Sequence, residues 1–304
     1  MDGLKTLILV LTPLFIGFML RVPRRYLRIL DNLLSWLVCL ILLLIGIGLA
    51  REEHLTTQLT HIMRYTILLF PLIILSNILI LMLFDKKQPI CISSLSKART
   101  RFSDLFGGIK QLIIVLMGVL LGVMLPGNYL PPAFSSTVVL MLLVFTVGLQ
   151  LRAGEIPLHQ VLLNKRGWQT ALWFIASCLL SGTIFAAMLP EVAWTQGLAL
   201  ASGYGWYSLS GIVMTHAYGT TWGSVALFND LLREFFALVC IPILMRRYPS
   251  TAVGIGGVTS LDFALPVIQQ SGGIGIVPVA ISFGFIVNLV SPFLMLIFSS
   301  FQAA

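Results

Sequence analysis

The chain has 304 residues, 58% of them hydrophobic and 10% charged, with a mean hydropathy of +0.99. That composition excludes a soluble globular domain and predicts an integral, all-α membrane protein. The net charge of +8 does not imply a nucleic-acid partner, because the basic residues gather in short connections between apolar segments, the pattern that orients spans in a lipid bilayer.

Apolar runs of spanning length occur at 4–20, 33–50, 62–84, 109–125, 135–151, 168–189, 223–245 and 275–300, each near the roughly 20 residues that a crossing requires. The first run is expected to be retained as a span, since Arg21 to Arg25 follow it where a cleaved leader would have an A-x-A site. Arg21, Arg24, Arg25 and Arg28 lie between runs one and two, and Lys86, Lys87, Lys97, Arg99, Arg101 and Lys110 between runs three and four. Arg152, Lys165 and Arg166 follow run five, and Arg246 and Arg247 follow run seven. Only Lys5, Arg51 and Arg64 fall on the other side. The positive-inside rule then predicts eight transmembrane helices with both termini periplasmic. Cys39, Cys91, Cys178 and Cys240 have no C-x-x-C spacing and read as packing residues.

The chain resembles itself. GLKTLILVLTPLFIGFML (3–20) aligns with GIKQLIIVLMGVLLGVML (108–125), pairing Gly3 with Gly108, Lys5 with Lys110 and Gly17 with Gly122. LILLLIGIGLA (40–50) echoes LMLLVFTVGLQ (140–150), with Gly48 matching Gly148. Spans 1–3 are therefore expected to recur as spans 4–6. Three is odd, so the second copy crosses in the opposite sense, the inverted repeat of many secondary transporters. The expected organisation is a first three-span repeat at 1–107, a second at 108–190, and a C-terminal unit at 191–304.

Two segments of that last unit fit neither a span nor a loop. Residues 195–217 are apolar but interrupted by Gly203, Gly205 and Gly211, and 252–273 contain Gly254, Gly256, Gly257, Asp262 and Pro266. Full crossing by both would put Arg246 and Arg247 outside, against the charge trend. Both are expected to be re-entrant or broken, the first entering from outside and the second from the cytoplasm. Irregular backbone at membrane depth is tolerated where protein or a wet cavity supplies its hydrogen bonds.

Charges inside hydrocarbon mark function by default. Span seven carries Asp230 and Glu234 at i and i+4 on one helical face, with Arg233 beside them. The structural alternative is an ion cluster in which Asp230 and Arg233, nearer the wet start of the span, merely hold each other. Arg233 neutralises only one acid, so Glu234 stands out. Asp262 lies in TSLDFALP, where a helix is expected to break; its structural alternative is a cap. The acids outnumber the base, which suits a cationic substrate or protons. The starts of the broken helices offer N–H groups to a carboxylate. Asn229, Ser208, Ser210 and Tyr207 are candidate lining residues, Trp206 a candidate cavity wall, and His216 an interfacial residue beside a glycine turn. An intramembrane serine protease using Ser208, Ser210 and His216 is disfavoured, since SLSG departs from the G-x-S-G form. Without an H-E-x-x-H or Walker A string, neither zinc hydrolysis nor ATP-driven pumping is indicated, and no cofactor is expected.

At ASGYGWYSLSGI (201–212), FNDLLRE (228–234), the STAxGxxGxTSxDFxLPVxQxxGG pattern (250–273) and NKRG (164–167), the chain resembles the LysO family of lysine exporters from Gram-negative bacteria. The resemblance covers essentially the whole chain, departing at His216. It implies an inner-membrane exporter of L-lysine and of its toxic analogue thialysine, in which Glu234 and Asp262 matter most and Asp230 less. A sodium–proton or organic-ion antiporter on a similar repeat is the alternative.

Overall fold

The computed structural model describes residues 26–50, 55–89, 164–261 and 263–301 without interruption, and shorter pieces between residues 12 and 23 and between residues 113 and 149. Regular structure among the described residues is helical. The complete helices are α1 (Leu27–Ala50), α2 (Leu55–Lys87), α3 (Lys165–Met188), α4 (Trp194–Ala201), α5 (Tyr207–Tyr218), α6 (Thr220–Met245), α7 (Pro249–Ile255), α8 (Leu265–Gly272) and α9 (Val277–Ser300). A 3-10 turn, Gly257–Leu261, joins α7 to α8.

Among the described residues, Leu59–Lys87, Lys165–Met188 and Val277–Ser300 are long and apolar enough to cross a membrane. α6 has 26 residues, about 39 Å at 1.5 Å per residue, but carries Asp230, Arg233 and Glu234 in its middle. Ile67, Leu75, Leu79 and Leu83 of α2, Leu172 and Trp173 of α3, and Val239 and Ile243 of α6 are exposed. Apolar surface on this scale needs lipid to cover it. The chain is a membrane protein. Most of the run at 4–20, the start of 109–125 and part of 135–151 lie outside the described residues.

Glycines set the closest helix approaches. Gly118 and Gly122, spaced as G-x-x-x-G, lie against α1. A Cβ on Gly122 would come within 2.6 Å of Ala50 Cβ and 3.0 Å of the Ile47 carbonyl. One on Gly118 would strike the Leu43 carbonyl. Gly17 lies in the same manner against Phe145 and Leu149. Small residues let backbones approach, which is how helices associate where no water drives them together. The first run thus packs on the fifth, and the fourth on the second. α2 and α3 join through polar side chains: Ser177 Oγ donates to Asn77 Oδ1 at 2.6 Å, and Ser76 hydrogen-bonds Ser181. These serines and Asn77 hold the two helices together.

The two glycine-broken segments are helical hairpins. α4 runs in, residues 202–206 turn, and α5 doubles back until Tyr218 reaches Thr195 at the start of α4. α7 leaves the end of α6, the 3-10 turn forms the tip, and α8 returns. Its last residue, Gly272, faces Met245 at the end of α6. Gly219, with φ 93, makes the reversal from α5 into α6.

Candidate functional site

The tips of the two hairpins touch. Tyr204 is the non-glycine residue among those described with positive φ (54), followed by Gly205 at φ 89; Gly257 at φ 57 begins the other tip. The Val258 N–H donates to the Tyr204 carbonyl at 3.0 Å. A Cβ on Gly257 would strike that carbonyl, so only glycine permits both the backbone conformation and the contact.

α9 holds both tips from one face. Ser291 Oγ donates to the Ser202 carbonyl at 2.8 Å, and Asn288 Nδ2 donates to the Val258 carbonyl at 3.2 Å. Gly284 packs on Leu261. Gly284, Asn288 and Ser291 stand at i, i+4 and i+7, one helical stripe. Carbonyls freed by the broken backbone are thereby satisfied.

α6 brings its charges to this crossing. Asp230 is fully buried. Its Oδ2 accepts from Ser210 Oγ at 2.6 Å, and its Oδ1 from Asn229 Nδ2 at 3.0 Å and the Gly205 N–H at 3.3 Å. The carboxylate therefore clamps α6 to the first tip and to α5. Gly203 leaves it room, since a Cβ there would lie 2.7 Å from Asp230 Oδ2.

Arg233 is 2% exposed, with Nη1 4.0 Å from Asp230 Oδ1, beyond hydrogen-bonding length. The guanidinium carbon lies 5.7 Å from the centre of the Phe174 ring. A Cβ on Gly257 would be 3.6 Å from Nη2. Phe174 also packs edge-on against Tyr204 and Phe283, with each pair of centroids 5.2 Å apart. The structural alternative places this pair near the wet start of the span; here both residues are buried, and the Asp230 oxygens accept from Ser210, Asn229 and Gly205.

Glu234 is 5% exposed, one turn further along α6. Asp262, the other acid singled out in the sequence, lies outside the described residues. Ser208 is buried in the first turn of α5, which no side chain caps. Tyr207 packs with Leu42, Leu227 and Leu231 between α5, α1 and α6. Trp206 packs on the main core. Ser210 serves Asp230, whereas His216 sits exposed in the last turn of α5, so the protease geometry is not assembled. Among the described residues no group of three or more His, Cys, Asp or Glu could hold a metal.

A second charged cluster went unnoticed in the sequence. Asp85, at the end of α2 and with no side-chain exposure, pairs with Arg166 of α3 at 2.6 Å. Its oxygens also accept the N–H groups of Ser250 (3.2 Å) and Thr251 (2.9 Å) and the Thr251 hydroxyl (3.0 Å). Arg166 Nε donates to Ser250 Oγ at 2.8 Å, and its guanidinium lies 4.0 Å over the Phe84 ring. Asp85 thus caps α7 from another helix. Asn164 Oδ1 caps α3 through the Gly167 N–H at 2.9 Å, giving NKRG a structural role. The only sequence signal for Asp85 was an acid ahead of Lys86 and Lys87.

The family model described as lysine exporter LysO matches residues 112–299. The lysine exporter LysO of Escherichia coli (strain K12) is 39% identical over 97% of this chain and 99% of its own length. A Haemophilus influenzae protein with the provisional name of lysine exporter is 48% identical over 63% of this chain and 98% of its own length. No solved structure matches the chain. The chain belongs to the lysine exporter LysO family.

Proposed function

We propose that this protein, an amino-acid exporter by family, exports L-lysine and thialysine across the bacterial inner membrane by proton-coupled alternating access. The observation that carries this reading is a buried acid and a buried base, Glu234 and Arg233, in adjacent positions of α6 beside the crossing of two hairpin tips. A zwitterionic cation requires both. Asp262, singled out in the sequence, is assigned as the other acid. Glu234 and Asp262 bind the ammonium groups of lysine in one half-cycle and protons in the other.

The topology belongs to the same reading: eight crossings, both termini periplasmic, and the hairpins at 195–217 and 252–273 re-entrant from opposite faces as opposing gates. The repeats at 1–107 and 108–190 flank the C-terminal unit at 191–304. Support comes from the exchanged glycine packing, in which Gly17 meets the fifth run as Gly122 meets the second, the pairing that an inverted repeat produces.

Export of a cation works against the membrane potential, at about 2.3 kcal/mol per charge per 100 mV. Exchange of one lysine for one entering proton cancels that electrical term. The test is counterflow of labelled lysine in proteoliposomes under imposed pH gradients, with Glu234→Gln and Asp262→Asn. Full-rate export by both variants, inserted normally, would refute the assignment. Sodium flux without lysine flux would establish the antiporter alternative.

A further inference from the structure

Arg233 is a buried cation whose hydrogen-bonding capacity is largely unused among the described residues. A guanidinium carries five N–H donors, and none of Nε, Nη1 and Nη2 has an oxygen or nitrogen acceptor among the described residues. A buried donor without a partner is costly, more so when charged. The Asp230 carboxylate does not answer it, since Oδ1 is 4.0 Å away and already accepts from Asn229 and Gly205. The rest of its surroundings offer the Phe174 ring, the Cys178 thiol, which is a weak acceptor, and the bare Cα of Gly257.

Those surroundings have the form of an anion site. α6 fixes the arginine, and Phe174 supports it from behind. The tip contact between Tyr204 and Val258 closes one side.

We infer that Arg233 binds the substrate's α-carboxylate and so makes a free carboxylate a condition of transport. The inference rests on the reading of the chain as a lysine exporter and adds a specificity-determining residue to it. A guanidinium and a carboxylate match as two parallel N–H···O bonds. A diamine of the same length has the same two ammonium groups but brings no such partner, and leaves the guanidinium uncompensated. A site built to bond a group rejects an analogue that lacks it, because its own donors then stay unpaired.

The experiment is counterflow of labelled lysine in proteoliposomes, competed by unlabelled lysine, cadaverine (the diamine lacking the carboxylate) or lysinamide. Lysine is expected to compete at least about 30-fold better than either analogue, as for the loss of one partner from a buried charged pair. In Arg233→Gln the preference is expected to collapse towards equality, with Arg233→Lys intermediate. A purely structural arginine would change the amount of active protein and leave the preference intact. Should Arg233→Gln fail to insert, the wild type and Arg233→Lys still give the comparison. Equal competition in the wild type, or a preference unchanged in the variants, overturns the inference and leaves lysine export standing. Absence of lysine counterflow in the wild type overturns the lysine reading and this inference with it.

Discussion

The Tyr204 carbonyl accepts a hydrogen bond from the Val258 amide at 3.0 Å, so the two hairpins meet tip to tip through a backbone hydrogen bond. Gly257 makes this possible by having no side chain to strike that carbonyl. Gly257→Ala is expected to push the tips apart, adding a left-handed backbone cost of about 1–2 kcal/mol to the clash. Lysine counterflow should be lost, whereas Gly275→Ala, where a Cβ meets nothing within 4 Å, should retain it. Retained transport in Gly257→Ala would show that the contact is dispensable.

Asp230 and Glu234 sit one turn apart on α6, yet different roles follow from their partners. Asp230 anchors α6 to Ser210 and to the first tip. Ser210→Ala removes a bond to a charged group, which contributes about 1.5–3 kcal/mol. The expected result is a lower melting temperature in detergent with an unchanged half-saturating lysine concentration. A raised half-saturation with normal melting would instead move Ser210 and Asp230 into direct substrate contact.

Asp85 is the acid whose loss should cost most in stability. Asp85→Ala leaves Arg166 and two N–H groups of α7 without their acceptor. Removing one member of a buried pair typically costs about 3–5 kcal/mol. Thermal unfolding should show a large drop, and Asp85→Asn, which keeps an acceptor, a smaller one. Equal stability of Asp85→Ala and wild type would refute the capping role.

The glycine seam predicts a steric effect. Gly122→Val places a branched side chain against Ala50 and the Ile47 carbonyl, and overpacking of this kind costs about 1–3 kcal/mol. Leu120→Ala, on an exposed position of the same helix, should be tolerated. Melting curves of the two variants decide it.

The helical structure of the described residues, the apolar runs that became α2, α3 and α9, and the two broken segments were legible in the sequence because glycine and charge interrupt hydrocarbon there. The placement of Asp230, Arg233 and Glu234 together on one helix was also legible, since helical spacing fixes it. Three features were not. The partners of Asp230 come from residues 20 and 25 positions away, a distance that no helical spacing reports. Asp85 lies beside Lys86 and Lys87, whose topogenic role masked it, and its partners Ser250 and Thr251 are 165 and 166 residues away. The stripe Gly284, Asn288, Ser291 has helical spacing, but small polar residues in a span read equally well as ordinary packing. Tyr207 shows the converse: its place in the motif pointed to the site, and its ring went into the apolar contact with Leu227 and Leu231.

The cap that Asp85 places on α7 makes the two arms of the second hairpin mechanically unequal. One arm is bolted at Ser250 and Thr251 to the ends of α2 and α3. The other, α8, continues through Gly273, whose φ of 74 makes it a natural pivot. A hairpin held this way swings rather than slides. Motion at its tip should appear as rotation of α8 about Gly273, with the start of α7 as the fixed reference point.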